Sequence, residues 1–406
     1  MQNHIVLVPG FGGFDALGSL RYYHGVTDVL RSSSLVLHYF PNLPTASVQT
    51  RARRLRLWLG DLQERRAIGA KDAIHLVGHS TGGLDIRQLL IDYRESEDAQ
   101  ASGKDVLGQI RTVQFISTPQ RGTNLARRVR GLGGASRVLT RWMPRMLYET
   151  TRALRTGGVS FAGRCLQRIW PPDEGSPDWL DAAIQTMVGF GVKTESLERA
   201  LARASYFETL RWLMHVSTDV AAISDLDPVR APGAPESPAH RTSPDEERDF
   251  LKAKNIHYRS IVTVAKRPAE DARGLYKFVY GLTSRGPTPE LGQVRFIPWL
   301  RESKQGTRML TPADNDGIVN SVSMVWPDAE SSFLVEADHA DVIGHFRYTP
   351  PQDPDAPQRY YQYDLLSSGS NFGQREFEAL WGEIASFTGS WRYPRDLRRP
   401  DEAWAM

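Results

Sequence analysis

A short unbroken apolar run, Ile5–Val8, follows His4 near the start of the chain and stops at Pro9-Gly10-Phe11-Gly12-Gly13. A run of that length, closed by a glycine-rich turn, predicts a strand over 4–8 that is buried on both faces. Comparable segments recur at 34–39, 73–77 and 110–116, each predicting a strand. Between them the period changes. Residues 21–31 and 84–93 predict helices. Residues 48–66 place Ala52, Leu55, Leu59 and Leu62 on one helical face and the many arginines on the other. Residues 94–109 are polar and predict an exposed connection. Strands alternating with helices predict a parallel sheet with helices on both faces, an α/β class.

The rhythm stops after residue 122. No strand pattern is evident over 123–250. Trp142, Trp170, Trp179 and Trp212 there fall at helical spacings, and Pro228, Pro232, Pro235, Pro238 and Pro244 predict an irregular loop. Strands are predicted again at 256–264 and 333–336, and a closing amphipathic helix at 375–387. The expected organisation is therefore an α/β core formed by 1–122 and 251–406. A large, mainly helical cap with a proline-rich loop, 123–250, is inserted into it. Trp142, Met143, Met146, Leu147 and Trp170 could form an apolar wall of that cap, or simply its own core. Connections longer than about 12–15 residues are usually functional or disordered.

Composition changes this picture little. The chain has 406 residues, 50 Lys+Arg against 47 Asp+Glu, and one cysteine, Cys165. The balanced charge gives no reason to expect a nucleic-acid partner. One cysteine makes no internal disulfide and no thiolate metal site. No run approaches the ~20 apolar residues of a transmembrane helix. The N-terminus shows no basic segment followed by an apolar h-region, so a cytoplasmic location is expected unless a leader has been removed. Oligomeric state is not legible.

Gly78-His79-Ser80-Thr81-Gly82-Gly83 stands between a predicted strand and a predicted helix. That is the context of a nucleophile elbow, where a strained turn exposes a serine hydroxyl at the start of a helix. An acyl transfer at Ser80 needs two N–H donors for the oxyanion. Thr81, after the serine, and Phe11, in the loop after the first strand, are the candidates. GFGG lacks the spacing of a dinucleotide-binding turn. For the acid, Asp314, Asp316 and Asp328 lie late in the chain. Asp316 is preferred because Gly317 permits a sharp turn. For the base, His339 and His345 follow it, in the Ser…Asp…His order of α/β-hydrolases. His339 is preferred because it directly follows a predicted strand. His79 is expected to be a structural residue of the elbow, and Asp85 and Arg87 structural residues of the helix after it. Arg127, Arg128 and Arg130 are expected on a solvated helix face.

At these residues the chain resembles the true lipases of bacteria within the α/β-hydrolase superfamily, most of all the thermoalkalophilic Bacillus-type lipases. The similarity is carried by IVLVPGFGG (5–13), LGSLRYYHGVTDVL (17–30), LVGHSTGGLDIRQL (76–89) and ISTPQRGTNLA (116–126). It continues in STDVAAISDL (217–226), IHYRSI (256–261), NDGIVNSVSM (315–324) and DHADVIG (338–344). The resemblance implies an α/β-hydrolase fold, a catalytic triad of Ser80, Asp316 and His339, an oxyanion hole of Phe11 and Thr81, and an acyl-ester or lipid substrate. Most of 127–215 finds no match. Departures from the family are specific. Pro9 stands where it has histidine and Thr81 where it has glutamine or methionine. Of its zinc ligands Asp219 is present, but Thr50 replaces the other aspartate and the insertion with two histidines is missing, so no zinc is expected. No cofactor is required. Asp341, two residues after the base, occupies a calcium-ligand position, whereas His345-Phe346 replaces the family's later Asp-Pro, so a structural calcium near Asp341 remains an option. The expected function is carboxylic-ester hydrolysis, as a lipase or esterase. The same triad could serve a thioesterase, acyltransferase or amidase, and a non-catalytic binding module is the remaining alternative.

Overall fold

The computed structural model describes residues 2–11, 13, 16–17, 20–31, 34–43, 45–97, 106–131, 221–229, 237–240, 244–270, 275–284, 293–296, 306–347 and 364–389. Most of the predicted cap, including Trp142, Met143, Met146, Leu147, Trp170, Trp179, Trp212 and Asp219, lies outside the described residues, as does Cys165.

Residues 3–8 form a strand with neighbours on both sides. This strand, β1 (Asn3–Val8), pairs in parallel with β4 (Leu35–Tyr39) and with β5 (Ala73–His79). Beyond β5 follow β6 (Ile110–Ile116), β7 (His257–Thr263) and β10 (Ser332–Val335), all parallel. The far edge is formed by β8 (Gln293–Phe296), parallel to β10, and β9 (Thr307–Met309), antiparallel to β8. The eight strands run in the order β4-β1-β5-β6-β7-β10-β8-β9, and a separate small hairpin joins β2 (Ala16–Leu17) to β3 (Leu20–Arg21).

The apolar run of β1 is continuous because both faces of the sheet are covered. Ile5 and Leu7 join Val77, Ile116, Ile261 and Val335 under α1 (Val26–Leu30) and α9 (Gln374–Ser386), where Phe377, Leu380 and Trp381 pack. Val6 and Val8 join Leu76, Val113 and Phe115 under α2 (Val48–Glu64) and α3 (Thr81–Glu97). The remaining described helices are α4 (Asn124–Gly131), α5 (Ala221–Asp225), α6 (Asp245–Ala253), α7 (Leu275–Thr283) and α8 (Ser321–Met324). This is the α/β-hydrolase fold. None of the described helices is long and apolar enough to cross a membrane.

Several expectations need correction. The helix expected over 21–31 begins only at Val26, because Gly25 sits at φ 75°, outside the helical region, and residues 22–24 turn inward before it. The helix expected over 84–93 starts three residues earlier and runs on to Glu97. Within 94–109, Val106–Gln109 forms a buried 3₁₀ turn whose Val106 and Leu107 plug the core beneath α2 and α3. The arginines of α2 do not all face water. Arg51 is fully buried, on the same face as Leu55 one turn on.

Candidate active site

The five parallel strands β1, β5, β6, β7 and β10 end at one edge of the sheet, where ligands of open α/β sheets gather. The predicted chemical residues all lie there. The Ser80 N–H donates to the Ile116 carbonyl at the end of β6 (2.9 Å), and the Ser80 carbonyl accepts from the Gly83 N–H (3.1 Å). Between these bonds Ser80 is held at φ 55°, the left-handed region that a residue with a side chain rarely enters. That strain marks a sharp strand-to-helix turn. The turn closes only because its flanks are bare. A Cβ on Gly82 would lie 2.2 Å from the Val8 carbonyl oxygen, and one on Gly78 2.6 Å from the Gly83 nitrogen.

The loop after β1 lies directly against the elbow. A Cβ on Gly10 would come 2.6 Å from Ser80 Cβ. Phe11 follows it, and Thr81 opens α3, where helix geometry leaves the first-turn N–H groups without intrahelical acceptors. Both sequence-predicted oxyanion donors thus flank Ser80 on adjacent segments.

Asp316 and His339 meet directly. His339 Nδ1 is 2.7 Å from Asp316 Oδ2, and both residues are buried. The other bonds of the carboxylate are also filled: Thr263 Oγ1 donates to Oδ2 (2.7 Å), and the Ile318 and Val319 N–H groups donate to Oδ1 (3.0 and 2.8 Å). Gly317, at φ 101°, makes the turn that brings those N–H groups back onto Asp316. A carboxylate so surrounded accepts, so Nδ1 carries the imidazole proton and Nε2 is the base nitrogen. The other candidate acids serve locally. Asp314 pairs with Arg308, and Asp328 bonds Ser331. His345 is buried and its Nε2 donates to the Tyr22 carbonyl (3.1 Å), so it is tied up structurally. His79, next to Ser80, donates from Nε2 to the His339 carbonyl (3.0 Å), with the two rings 4.7 Å apart. It therefore brings the base loop to the elbow without itself facing the nucleophile.

The residues around the site include groups that sequence reasoning missed. Arg51 Nε and Nη2 donate to Asp85 Oδ1 (3.0 and 2.8 Å), and Nη2 also to the Thr81 carbonyl (3.3 Å). Asn42 Nδ2 donates to the Pro9 carbonyl (3.0 Å) and to Asp85 Oδ2 (3.3 Å). Burial pushes the Asp85 carboxyl up to about 7 against the pull of the adjacent Arg51 guanidinium. One buried network thereby joins α2, the elbow helix and the oxyanion loop. Arg87, as expected, is structural: its guanidinium grips Glu247 of α6 bidentately (2.6 and 2.8 Å). The only signal for Arg51 was a charge on the apolar face of an amphipathic helix.

Near the base, Asp338, Asp341 and Asp364 bring carboxylate oxygens within 4.8 Å of one another. Of these only Asp341 was singled out by sequence. Burial, more than any neighbour, drives the Asp338 carboxyl up to about 7, and burial together with the Asp338 charge raises that of Asp341.

No family model matches the chain. It is 30% identical over 156 residues to a triacylglycerol lipase of Pseudomonas fragi, a match covering 38% of this chain and 45% of the relative. It is 32% identical over 83 residues to a triacylglycerol lipase of Vibrio cholerae serotype O1, covering 20% of this chain and 26% of that one. The chain spans less than half the length of these curated relatives. Among solved structures it superposes on the Staphylococcus hyicus lipase with a TM-score of 0.45 and 13% identity, over 100% of this chain and 97% of that one.

Proposed function

We propose that this protein hydrolyses carboxylic esters, with Ser80 as nucleophile, His339 as general base and Asp316 as the carboxylate that orients it. The observation that carries this reading is the 2.7 Å bond between Asp316 and His339 Nδ1, beside an elbow in which Ser80 is held at φ 55°. Asp316 fixes the tautomer. His339 Nε2 takes the proton of Ser80 Oγ as that oxygen attacks the ester carbonyl, and the Phe11 and Thr81 N–H groups receive the oxyanion. His339 then gives the proton to the leaving alcohol. Water, activated by the same imidazole, releases the acid from the acyl-enzyme. The curated relatives are triacylglycerol lipases, which favours lipid acyl esters as the substrate class; kinship with the bacterial lipases of the Bacillus type, without their zinc insertion, rests on the sequence motifs.

The test is hydrolysis of p-nitrophenyl esters from acetate to octanoate by the wild type and by Ser80→Ala. The wild type is expected to turn over, with kcat/KM rising along the series, since each buried CH₂ contributes about 0.8 kcal/mol. Ser80→Ala is expected to lose kcat by a factor on the order of 10⁴–10⁶ while remaining folded. Equal rates in the two proteins overturn the mechanism, and a steady fall from acetate upward overturns the lipid substrate.

A structural calcium beside the base belongs to the same proposal. Asp338, Asp341 and Asp364 offer the oxygen donors that a hard cation takes, and two of them are crowded and buried. Ser368 and Ser370 Oγ already donate to Asp338 and Asp341 (2.6 and 2.7 Å), giving the ligands a second layer. When bound there, the ion would supply fixed charge that ties the base loop to Asp364, with no part in the bond changes. Calcium added back after chelation is expected to raise Tm. An unchanged Tm removes the site.

A further inference from the structure

Tyr22 and His79 have no part in the bond changes proposed above, yet both are buried within the site. The Gly10 N–H donates to Tyr22 Oη (2.8 Å). Tyr22 Oη lies 2.6 Å from His79 Nδ1, and His79 Nε2 lies 3.0 Å from the His339 carbonyl oxygen. A carbonyl only accepts, so the ring proton of His79 is on Nε2. Burial holds the His79 imidazole well below the usual histidine value, and the second nitrogen stays bare. A bare Nδ1 accepts, so the Tyr22 hydroxyl donates to it, and the Tyr22 oxygen accepts from Gly10. Each proton in this chain of three bonds has one place.

The three groups so joined come from three strands. Gly10 precedes Phe11 after β1, His79 precedes Ser80 at the end of β5, and His339 follows β10. Only the first two lie on directly paired strands: β1 pairs with β5 up to Val8 opposite Gly78. Between β5 and β10 stand β6 and β7, so the backbone ladder joins the elbow to the base loop only by way of two intervening strands. The His79 side chain spans that gap. Further bonds hold the tyrosine segment in place: His345, from the base loop, donates to the Tyr22 carbonyl (3.1 Å), and Tyr23 Oη donates to the Val8 carbonyl (2.7 Å).

We propose that Tyr22 and His79 are positioning residues of the ester hydrolase, their hydrogen-bonded pair setting the places of the oxyanion loop and the base loop relative to Ser80; the inference rests on the hydrolytic reading of the site. Misplacing a reacting group by about 1 Å costs about a hundredfold in rate. The pair acts on the transition state rather than on substrate binding, so its loss falls on kcat.

The experiment compares wild type, Tyr22→Phe, His79→Phe and His79→Gln on a water-soluble p-nitrophenyl ester, with ¹⁵N NMR of the histidine ring nitrogens. Tyr22→Phe is expected to stay folded and to lose roughly tenfold to a hundredfold in kcat, with KM within about twofold. His79→Gln keeps an N–H for the His339 carbonyl and is expected to retain more of kcat than His79→Phe, a rescue that bulk packing would not give. In the wild type His79 is expected in the Nε2–H form, with the Nδ1 resonance shifting in Tyr22→Phe. Unchanged kcat in both Phe variants, losses confined to KM, or an Nδ1–H tautomer each overturns the proposal. Should wild type and Ser80→Ala be equally inert, the hydrolytic reading fails on its own, and the ring-nitrogen spectra alone decide whether the chain of bonds exists.

Discussion

Arg51 shows what a single buried charge does in this site. Its guanidinium and the Asp85 carboxylate have side chains fully removed from water, and their bond is shared with the Thr81 carbonyl and, through Asn42, with Pro9. Pairing two charges inside a protein offsets their desolvation without a large surplus, but removing one leaves the other uncompensated. Arg51→Met is therefore expected to cost up to about 3–5 kcal/mol of stability at neutral pH, less to the extent that Asp85, already pushed up to about 7, takes a proton in its place, whereas the double variant Arg51→Met/Asp85→Leu is expected to recover most of it. Urea denaturation of the three proteins measures this. A double variant no more stable than the single one would show that the pair is worth more than its own desolvation. The role of Arg51 was hidden in the sequence because helical periodicity reports only apolar positions, and the partner charge lies on the next helix. Ser80, Asp316 and His339 stood out as candidates because their neighbours announce them: bare glycines around Ser80, Gly317 after Asp316, and a strand end before His339.

Among the elements, the long parallel strands and the helices between them could be read from the apolar pattern because both sheet faces are covered. Most short elements could not, although the four-residue β10 was expected over 333–336. The hairpin of β2 and β3 has two residues a side, and β8 and β9 have four and three, too short or too polar to show an apolar run. β8 and β9 take their place beside β10 at the sheet edge, whereas β2 and β3 pair only with each other. The junction of β5 and α3 is the element where sequence and packing agree most closely. Gly82 sits where a Cβ would lie 2.2 Å from the Val8 oxygen and 2.7 Å from the Pro9 oxygen, so any side chain there drives the elbow helix away from the oxyanion loop. Gly82→Ala is expected to destabilise by about 1–3 kcal/mol and to lower kcat with it. Gly60 in α2 is the internal control, with nothing within 4 Å of its Cβ position. Gly60→Ala is expected to stabilise by about 0.5–1 kcal/mol, since alanine loses less backbone freedom in a helix. Thermal melts of both variants check the contrast, and equal shifts of the same sign would refute it.

Across the whole molecule the two ends of the sheet have separate tasks. The strand C-terminal ends carry the proposed catalytic residues, while toward the opposite end a row of polar side chains knits the strands. His75 contacts Thr112 Oγ1 (3.0 Å) and Asn3 Oδ1 (3.1 Å). His38 Nε2 contacts His4 Nδ1 (2.9 Å), whose other nitrogen faces Asp72 (3.3 Å). Burial, reinforced by Arg111 and His4, lowers His75 from 6.5 to about 4, and burial and His4 lower His38 to about 4. The sign of the consequence follows from linkage. A histidine whose folded pKa lies below its unfolded value binds its proton only after unfolding, so its contribution to stability is whole above pH 6.5 and is lost as the pH falls toward 4. Raised carboxyls such as Asp85 work in the opposite direction over part of that range, so the net curve of the wild type is no clear test. The difference between two proteins is. His75→Gln removes one titrating group and keeps side-chain donors and acceptors for Thr112 and Asn3. The stability advantage of wild type over His75→Gln is expected to shrink steadily between pH 6.5 and 4, read from urea melts at each pH. Because His75 lies at the end of the sheet remote from Ser80, kcat on the soluble ester is expected to be the same in both proteins. A constant stability difference across the range would mean that His75 titrates alike in the folded and unfolded chain, and a fall in kcat would mean that the two ends of the sheet are coupled.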